Sequence, residues 1–287
     1  MRILVFGARG EVGSTLSLAL EQSGHSLVRV SSQVGIPNTI ATGSACQLLE
    51  SNSIDFVVNC SGPGDRRDPD RKGGEGTSQV AAAMASAGIF GVLVSTTRVM
   101  EGYDTSYGES DPVKPVSRYA LANVAHEEAW LAAGGDFARV LRLTNYFAQP
   151  TSRASPQSQL LPWSLLTELW EKGSLEVRSA PSVVKEFVSA EGVAAAATVL
   201  ALAGASAPVV CTSTPGFTGS LKTLVQACRT VVRSLGKPEP QVNFGDEASV
   251  VALCQIGFLA GQGWAEPLNQ QRLREELTLW AQNNLLR

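Results

Sequence analysis

The sequence predicts an α/β protein built on a parallel sheet with helices on both faces. Three observations predict it. Mostly apolar segments of four to six residues recur at 2–6, 27–30, 54–59, 90–95 and 138–143, and such a segment without regular polar alternation marks a strand buried on both sides. Helical or alanine-rich segments separate these runs, and strands alternating with helices imply parallel crossovers. A glycine-rich turn, Gly7-Ala-Arg-Gly-Glu-Val-Gly13, follows the first run directly.

The elements follow in order. Residues 2–6 form the first strand, and a helix carrying Leu16 and Leu20 runs from the glycine turn until Gly24 stops it. A strand at 27–30, a short helix around Leu48 and Leu49 and a buried strand at 54–59 come next. An alanine-rich helix at 77–87 closes at Gly88, and a strand at 90–95 follows. The stretch 115–133 holds a long helix, with a strand at 138–143 after it. Beyond Pro150 the texture changes. Residues 151–162 are rich in Ser, Gln and Pro and read as a loop. Helices are expected at 165–172, 191–203, 218–235 and 268–284, with a strand at 175–177. The expected division is a sheet domain over 1–150 and a smaller mixed lobe over 151–287, interleaved with the last sheet strands.

Composition excludes several classes. A formal charge of −3 with no basic run argues against nucleic-acid binding, which needs clustered Lys and Arg to neutralise phosphates. The opening MRILVFGARG is broken by glycine too soon for a secretory leader. The apolar stretch 193–207 is shorter than a membrane span, so no membrane partner is expected. Cys46, Cys60, Cys211, Cys228 and Cys254 show no paired spacing and read as reduced thiols of a cytoplasmic protein. Two widely separated histidines argue against a zinc site, and no metal ligands are assigned.

The glycine turn carries the first chemistry. Gly7 permits a tight turn, Gly10 lets backbone approach a pyrophosphate, and Gly13 lets helix pack on strand. The helix N-terminus then faces the anion, with Arg9, Glu11 and Val12 in the turn. This is the pattern of a Rossmann-type doubly wound dinucleotide-binding fold. An NAD site commonly places a carboxylate at the end of the second strand, whereas this chain reads Val30-Ser31-Ser32. With Arg9 nearby and no acidic group to repel a 2′-phosphate, Ser31 and Ser32 point to NADP(H) as the preferred cofactor, with NAD(H) as the alternative.

Further motifs appear in order: Val57-Val-Asn-Cys-Ser-Gly62, Val94-Ser-Thr-Thr97, Tyr119-Ala-Leu-Ala-Asn123, Arg142-Leu-Thr-Asn-Tyr146, Lys185-Glu-Phe-Val188 and Gly263-Trp-Ala-Glu-Pro267. Together with the glycine turn they make the chain resemble the extended short-chain dehydrogenases, the epimerase/dehydratase/reductase group that works on nucleotide sugars. The stretch between the second strand and Ile54 is most similar to the dehydrorhamnose-reductase branch. The resemblance implies a site in which Thr96 orients the substrate oxygen and Tyr119 handles the proton. It also implies that Cys60, Ser61 and Gly62 line the cofactor path, and that Thr97, Asn145 and Lys185 meet the substrate, Lys185 near a phosphate.

One position departs from the family. A phenol with an ordinary pKa near ~10 is a poor base at neutral pH, and the family supplies a lysine four positions after the tyrosine. Here that position is Asn123. A unit charge about 5 Å away is worth roughly 3 kcal/mol at an effective dielectric near ~20. Asn123 donates hydrogen bonds to a ribose but brings no such field. Lys114 and Arg118 are the nearest substitute cations in sequence. His126 shares the helix face approximately and reads as a packed or hydrated helix residue. Trp163, Trp170, Trp264 and Trp280 read as core or interface aromatics. The expected activity is that of an NADP(H)-dependent ketoreductase on a nucleotide-activated sugar or similar polar metabolite. An epimerase or dehydratase with retained cofactor is the alternative enzyme, and a non-catalytic dinucleotide-binding regulator or partner subunit is the alternative of another class. A homodimer is a further expectation.

Overall fold

The computed structural model describes residues 1–30, 39–51, 53–63, 76–148, 160–213, 216–247, 253–254, 257–262 and 269–285. From the N-terminus, β1 (Arg2–Phe6) turns through its glycines into α1 (Glu11–Gln22), and Gly24 reverses the chain at φ +83°. Then come β2 (Ser26–Val30), α2 (Thr42–Glu50), β3 (Phe56–Asn59), α3 (Thr77–Ser86) and β4 (Gly91–Thr96). A 3-10 turn (Thr97–Met100) and β5 (Ser106–Tyr107) lead into α4 (Arg118–Gly134), β6 (Ala138–Leu143) and β7 (Asn145–Phe147). The remainder is α5 (Leu161–Lys172), β8 (Ser174–Ser179), β9 (Val184–Ser189), α6 (Ala190–Ala203), β10 (Val210–Thr212), β11 (Phe217–Ser220), α7 (Leu221–Ser234), β12 (Gln241–Glu247), β13 (Leu253–Cys254), α8 (Phe258–Gly261) and α9 (Gln270–Asn284).

The central sheet runs β10-β6-β4-β3-β1-β2 and is parallel throughout. The chain therefore winds outward from β1 in both directions, toward β2 on one side and toward β3, β4, β6 and β10 on the other. Ile40 adds a parallel bridge to Val30 beyond β2. This is the expected doubly wound architecture, and its switch point lies between β1 and β3, where a crevice opens at the C-terminal strand ends. Three smaller sheets accompany it: β11-β9-β7, β12-β8 and β13-β5.

Both faces of the sheet are sealed by apolar side chains. On one, Ile3, Val5, Phe56 and Val58 pack with Leu16, Leu20 and the small residues Ala194, Ala196 and Ala197. Those alanines let α6 lie close against α1, which explains the alanine-rich stretch as a buried helix. On the other face, Leu4, Val57 and Leu93 meet Val80, Met84 and Trp130. A third cluster joins α5, α7 and α9, where the Trp163 ring lies 5.1 Å from Phe147 and 5.2 Å from Trp280. Trp163 and Trp280 are core aromatics as expected, while Trp170 carries the Lys237 ammonium 4.8 Å above its ring.

The expected strands and helices of the first 143 residues are all present, with ends displaced by up to three residues. Two expectations are corrected. Leu161 and Pro162, read as the end of a loop, open α5, where a proline is tolerated because the first helical N–H groups have no partner in the helix. Residues 218–220 are not helix: Phe217–Ser220 pairs antiparallel with β9, and the Ser220 hydroxyl caps α7 by accepting from Thr223 N at 3.1 Å. Trp264 and the 263–267 landmark lie outside the described residues, as do Ser31, Ser32 and most of the expected 151–162 loop. Among the described residues no helix is long and apolar enough to cross a membrane.

Candidate active site

The crevice at the switch point is a cleft of about 410 Å³. The ends of four parallel strands build it: the glycine turn after β1, Cys60 and Gly62 after β3, Val94–Thr96 ending β4, and Leu143–Tyr146 after β6. Tyr119 and Asn123 enter from the first turns of α4.

The glycine turn has the geometry its spacing demands. Gly7 sits at φ +69°, and a Cβ there would lie 2.7 Å from Cys60 C and Ser61 N. Only glycine satisfies both the backbone angle and the approach to the β3 loop. A Cβ on Gly13 would collide with the Gly7 carbonyl oxygen, whereas one on Gly10 would come no nearer to it than 3.3 Å. Gly10 N donates to Gly7 O at 2.9 Å, and Gly10 caps α1 without any side-chain hydrogen bond. The start of α1 thus carries no side-chain cap, the arrangement in which a helix N-terminus receives an anion. Thr144, which also lines the cleft, is buried, and its Oγ1 has no hydrogen-bond partner among the described residues. These features fit a dinucleotide pyrophosphate along Gly10–Val12.

The cleft brings together Thr96, Tyr119, Asn123 and Asn145 with Gly10, Glu11, Val12, Cys60 and Gly62. Gly7, Arg9, Gly13, Ser61, Thr97 and Lys185 do not form its wall. Gly7 and Gly13 shape the turn from behind, and Arg9 is exposed on it. Ser61 donates from its backbone to Asn59 Oδ1 at 2.9 Å, which orders the loop after β3. Thr97 belongs to the 3-10 turn beyond Thr96.

Thr96 accepts from Arg98 N at 3.2 Å, so its hydroxyl proton is not engaged by that bond. Asn123 is buried, and its Nδ2 donates to Tyr119 O at 2.8 Å, committing one of its two amide protons to its own helix. Asn145 Nδ2 likewise donates to Glu186 O at 2.8 Å and ties β7 to β9. Burial pushes the Cys60 thiol up to about 12, keeping it protonated. Burial also raises the Tyr146 phenol, against the partial relief of its 2.7 Å hydrogen bond with Thr15. Lys185 has its pKa lowered by burial and, secondarily, by the charge of Arg98.

The candidate substitute cations do not reach the cleft. Lys114 places its ammonium 4.0 Å from the centre of the Tyr103 ring. Arg118 is exposed at the start of α4. No lysine or arginine is among the described residues of the cleft wall. His126 packs between helices, its Nε2 2.6 Å from Thr77 Oγ1, and burial lowers its pKa to about 4.

Sequence reasoning missed a buried ionic network behind the strand ends. Glu127 lies one helical repeat past Asn123 on the Tyr119 face of α4. Its carboxylate takes Arg142 Nη2 at 2.8 Å and the Ser95 hydroxyl at 2.5 Å. Ser95 and Arg142 are register partners on β4 and β6, and Ser95 lines the cleft. The four-residue spacing from Asn123 was the available signal for Glu127. Its partners come from distant elements and leave no local trace.

Fold and site together define the chain as a Rossmann-type protein whose switch-point crevice is lined by the glycine turn, Thr96 and Tyr119. Residues 1–155 match the model of the RmlD substrate binding domain, and the chain belongs to that family. This agrees with the resemblance to extended short-chain dehydrogenases and their dehydrorhamnose-reductase branch. No curated protein matches the chain. Among solved structures, it is similar to MoeE5 in complex with UDP-glucose and NAD, with 19% identity, a TM-score of 0.75 and coverage of 99% of this chain and 100% of that one. UDP-glucose 4-epimerase from Thermotoga maritima, solved with UDP-glucose, gives 16% identity and a TM-score of 0.75, covering 99% and 100% of the two chains. A dTDP-4-dehydrorhamnose reductase from Clostridium acetobutylicum gives 14% identity and a TM-score of 0.74, covering 99% of each. At these identities the likeness establishes the fold.

Proposed function

We propose that the chain is an NADP(H)-dependent reductase acting on a carbonyl or carbinol carbon of a nucleotide-activated sugar or similarly polar metabolite. The observation that carries this reading is one cleft holding both the bare glycine turn and the Thr96 and Tyr119 hydroxyls at the sheet's switch point. A bound nicotinamide supplies or accepts the hydride. Gly10, Glu11 and Val12 present backbone to the pyrophosphate, Cys60 and Gly62 line the cofactor path beside the glycine turn, and Ser61 orders that loop. Thr96 orients the reacting oxygen and Tyr119 gives or takes its proton. Asn123 offers its second amide proton to the ribose. Arg9, exposed in the turn, and the absence of a carboxylate in Val30-Ser31-Ser32 support NADP(H), while MoeE5 was solved with NAD. Residues 151–287 supply the substrate side. There the half-buried Lys185, with Arg98 close enough to lower its pKa, offers positive charge to a diphosphate. MoeE5 and the Thermotoga epimerase, both solved with UDP-glucose, support that substrate class.

A second reading rests on Asn123. Its amide is turned onto the Tyr119 carbonyl and the described cleft wall holds no Lys or Arg. Both observations favour a dinucleotide-binding protein without turnover. One experiment separates the two. Purified protein is titrated with NADPH and NADH, then assayed on a nucleotide-sugar panel by nicotinamide absorbance. The reductase reading expects turnover that Tyr119→Phe lowers roughly 100- to 10,000-fold at unchanged cofactor affinity. Cofactor binding without turnover on any substrate supports the second reading. Full activity in Tyr119→Phe removes Tyr119 from the chemistry. Cofactor that survives purification and cycles without net consumption points to the epimerase alternative.

A further inference from the structure

The geometry points to Glu101 as the residue that positions Tyr119 against Thr96, an inference that rests on the reading of those two hydroxyls as the reacting pair. Thr96 ends β4, and Tyr119 is the second residue of α4. The chain between them wanders through a 3-10 turn and a two-residue strand, so chain continuity alone does not fix their separation. Glu101 closes that excursion. Its Oε1 accepts the backbone N–H of Val116 at 3.0 Å and also the N–H of Ser117, the residue that caps α4. Its Oε2 pairs with Arg98 Nη2 at 2.6 Å, and Arg98 N donates to Thr96 Oγ1. The Glu101 carboxylate therefore ties the turn that follows Thr96 directly to the N-terminus of the helix bearing Tyr119, with Arg98 bonded on its other oxygen.

The surroundings show that the strut is built rather than incidental. Lys114 N donates to Val99 O at 2.9 Å, and Gly102 N donates to Lys114 O at 2.9 Å, zipping the two segments beside the carboxylate. A Cβ on Gly102 would lie 2.8 Å from Lys114 O, so the approach requires glycine. Ser117 Oγ in turn accepts from Ala120 N at 3.1 Å, passing the constraint into the first turn of α4. Burial raises the Glu101 carboxyl, but the Ser117 hydrogen bonds, the Arg98 charge and the Val116 N–H outweigh it, and the group stays ionised. Hydrogen bonds to an ionised acceptor are roughly twice as strong as neutral ones. A misplacement of about 1 Å at a reacting centre costs about 100-fold in rate.

The test uses three variants of the full chain. Glu101→Ala removes the strut. Glu101→Gln keeps an oxygen for both N–H groups and faces Arg98 with an amide –NH2, so it loses the charge pair and the Arg98 acceptor together. Glu101→Asp withdraws the carboxylate by one methylene and stands in if the alanine variant fails to fold. Glu101→Ala should lose amide-exchange protection at Val116 and Ser117 and lower kcat about 10- to 100-fold at unchanged KM and cofactor affinity. Glu101→Gln should stay within about threefold of wild type, a rescue that follows from retained acceptor geometry. The Tyr119 ring resonance, assigned among four tyrosines by its loss in Tyr119→Phe, should move in Glu101→Ala and hold in Glu101→Gln. An unmoved ring resonance, or wild-type kcat despite lost protection, overturns the positioning role. Equal losses in the alanine and glutamine variants also overturn it, assigning the effect to charge. Full activity in Tyr119→Phe sinks the underlying site reading instead, and the ring resonance still decides whether Glu101 holds α4.

Discussion

Removing Glu127 should expose how much the buried network behind the strand ends costs when broken. The Arg142 side chain is 6% exposed and the Glu127 side chain 4%, so neither charge is relieved by water. Arg142 spends its Nε and Nη2 on the carboxylate, and its Nη1 has Met100 Sδ at 3.5 Å. Glu127→Ala strands that guanidinium beside a thioether and leaves the Ser95 hydroxyl without its acceptor. Breaking one side of a buried pair costs roughly 3–5 kcal/mol. Glu127→Gln keeps the shape and an acceptor for Arg142, so it should lose less, about 1.5–3 kcal/mol for hydrogen bonds to a charged group. Glu127→Leu combined with Arg142→Met removes both charges at similar volume and should recover most of the loss, because no uncompensated ion remains. Urea unfolding followed by far-UV circular dichroism measures all of this, with the midpoint falling at unchanged slope. A Glu127→Ala loss below about 1 kcal/mol, or a double variant whose loss equals the sum of its singles, would refute the reasoning.

Two further outcomes follow from the geometry. Gly13→Ala should destabilise the fold by roughly 1–3 kcal/mol, since its Cβ meets the Gly7 carbonyl, while Gly10→Val should stay folded and lose cofactor affinity. Thermal unfolding and NADPH titration of both variants check this, and an unaltered NADPH affinity in folded Gly10→Val would place the nucleotide elsewhere. His126 gives a pH dependence. Its pKa falls from 6.5 to about 4 in the folded state, so the unfolded chain binds the proton more readily between those values. The neutral imidazole's contribution, about 3 kcal/mol by linkage, is fully present above pH 6.5 and is lost as pH falls toward 4. His126→Gln should flatten that part of the stability curve, and identical acid profiles for the two proteins would count against it.

The core of the fold was legible because its signals are local. Residues 2–6, 54–59 and 138–143 are mostly apolar and lack a regular polar alternation, and Gly7, Gly10 and Gly13 sit where strand hands over to helix. Thr96, Tyr119 and Asn123 were singled out by their motifs, and all three line one cleft. The small sheets were less visible. β9 opens Val-Lys-Glu before its apolar residues, and β11 reads Phe-Thr-Gly-Ser, which carries turn chemistry as much as strand propensity. What pairs them is registry with each other and with β7, a tertiary matter. Glu101 and Glu127 were illegible for a related reason. An acidic residue in a loop or on a helix ordinarily reads as solvated, and only long-range closure shows which amides or guanidinium it holds.

β10 has a consequence for where this protein divides. It closes the sheet by pairing with β6, and α6, which precedes it, covers Leu16 and Leu20 of α1. Both lie beyond residue 155, where the family match ends. A fragment stopped there would leave β6 as a bare edge and strip the cover from α1, inviting association with other chains. The segment that records common ancestry is thus shorter than the segment that folds, and swapping relatives at that boundary would splice through a single interior.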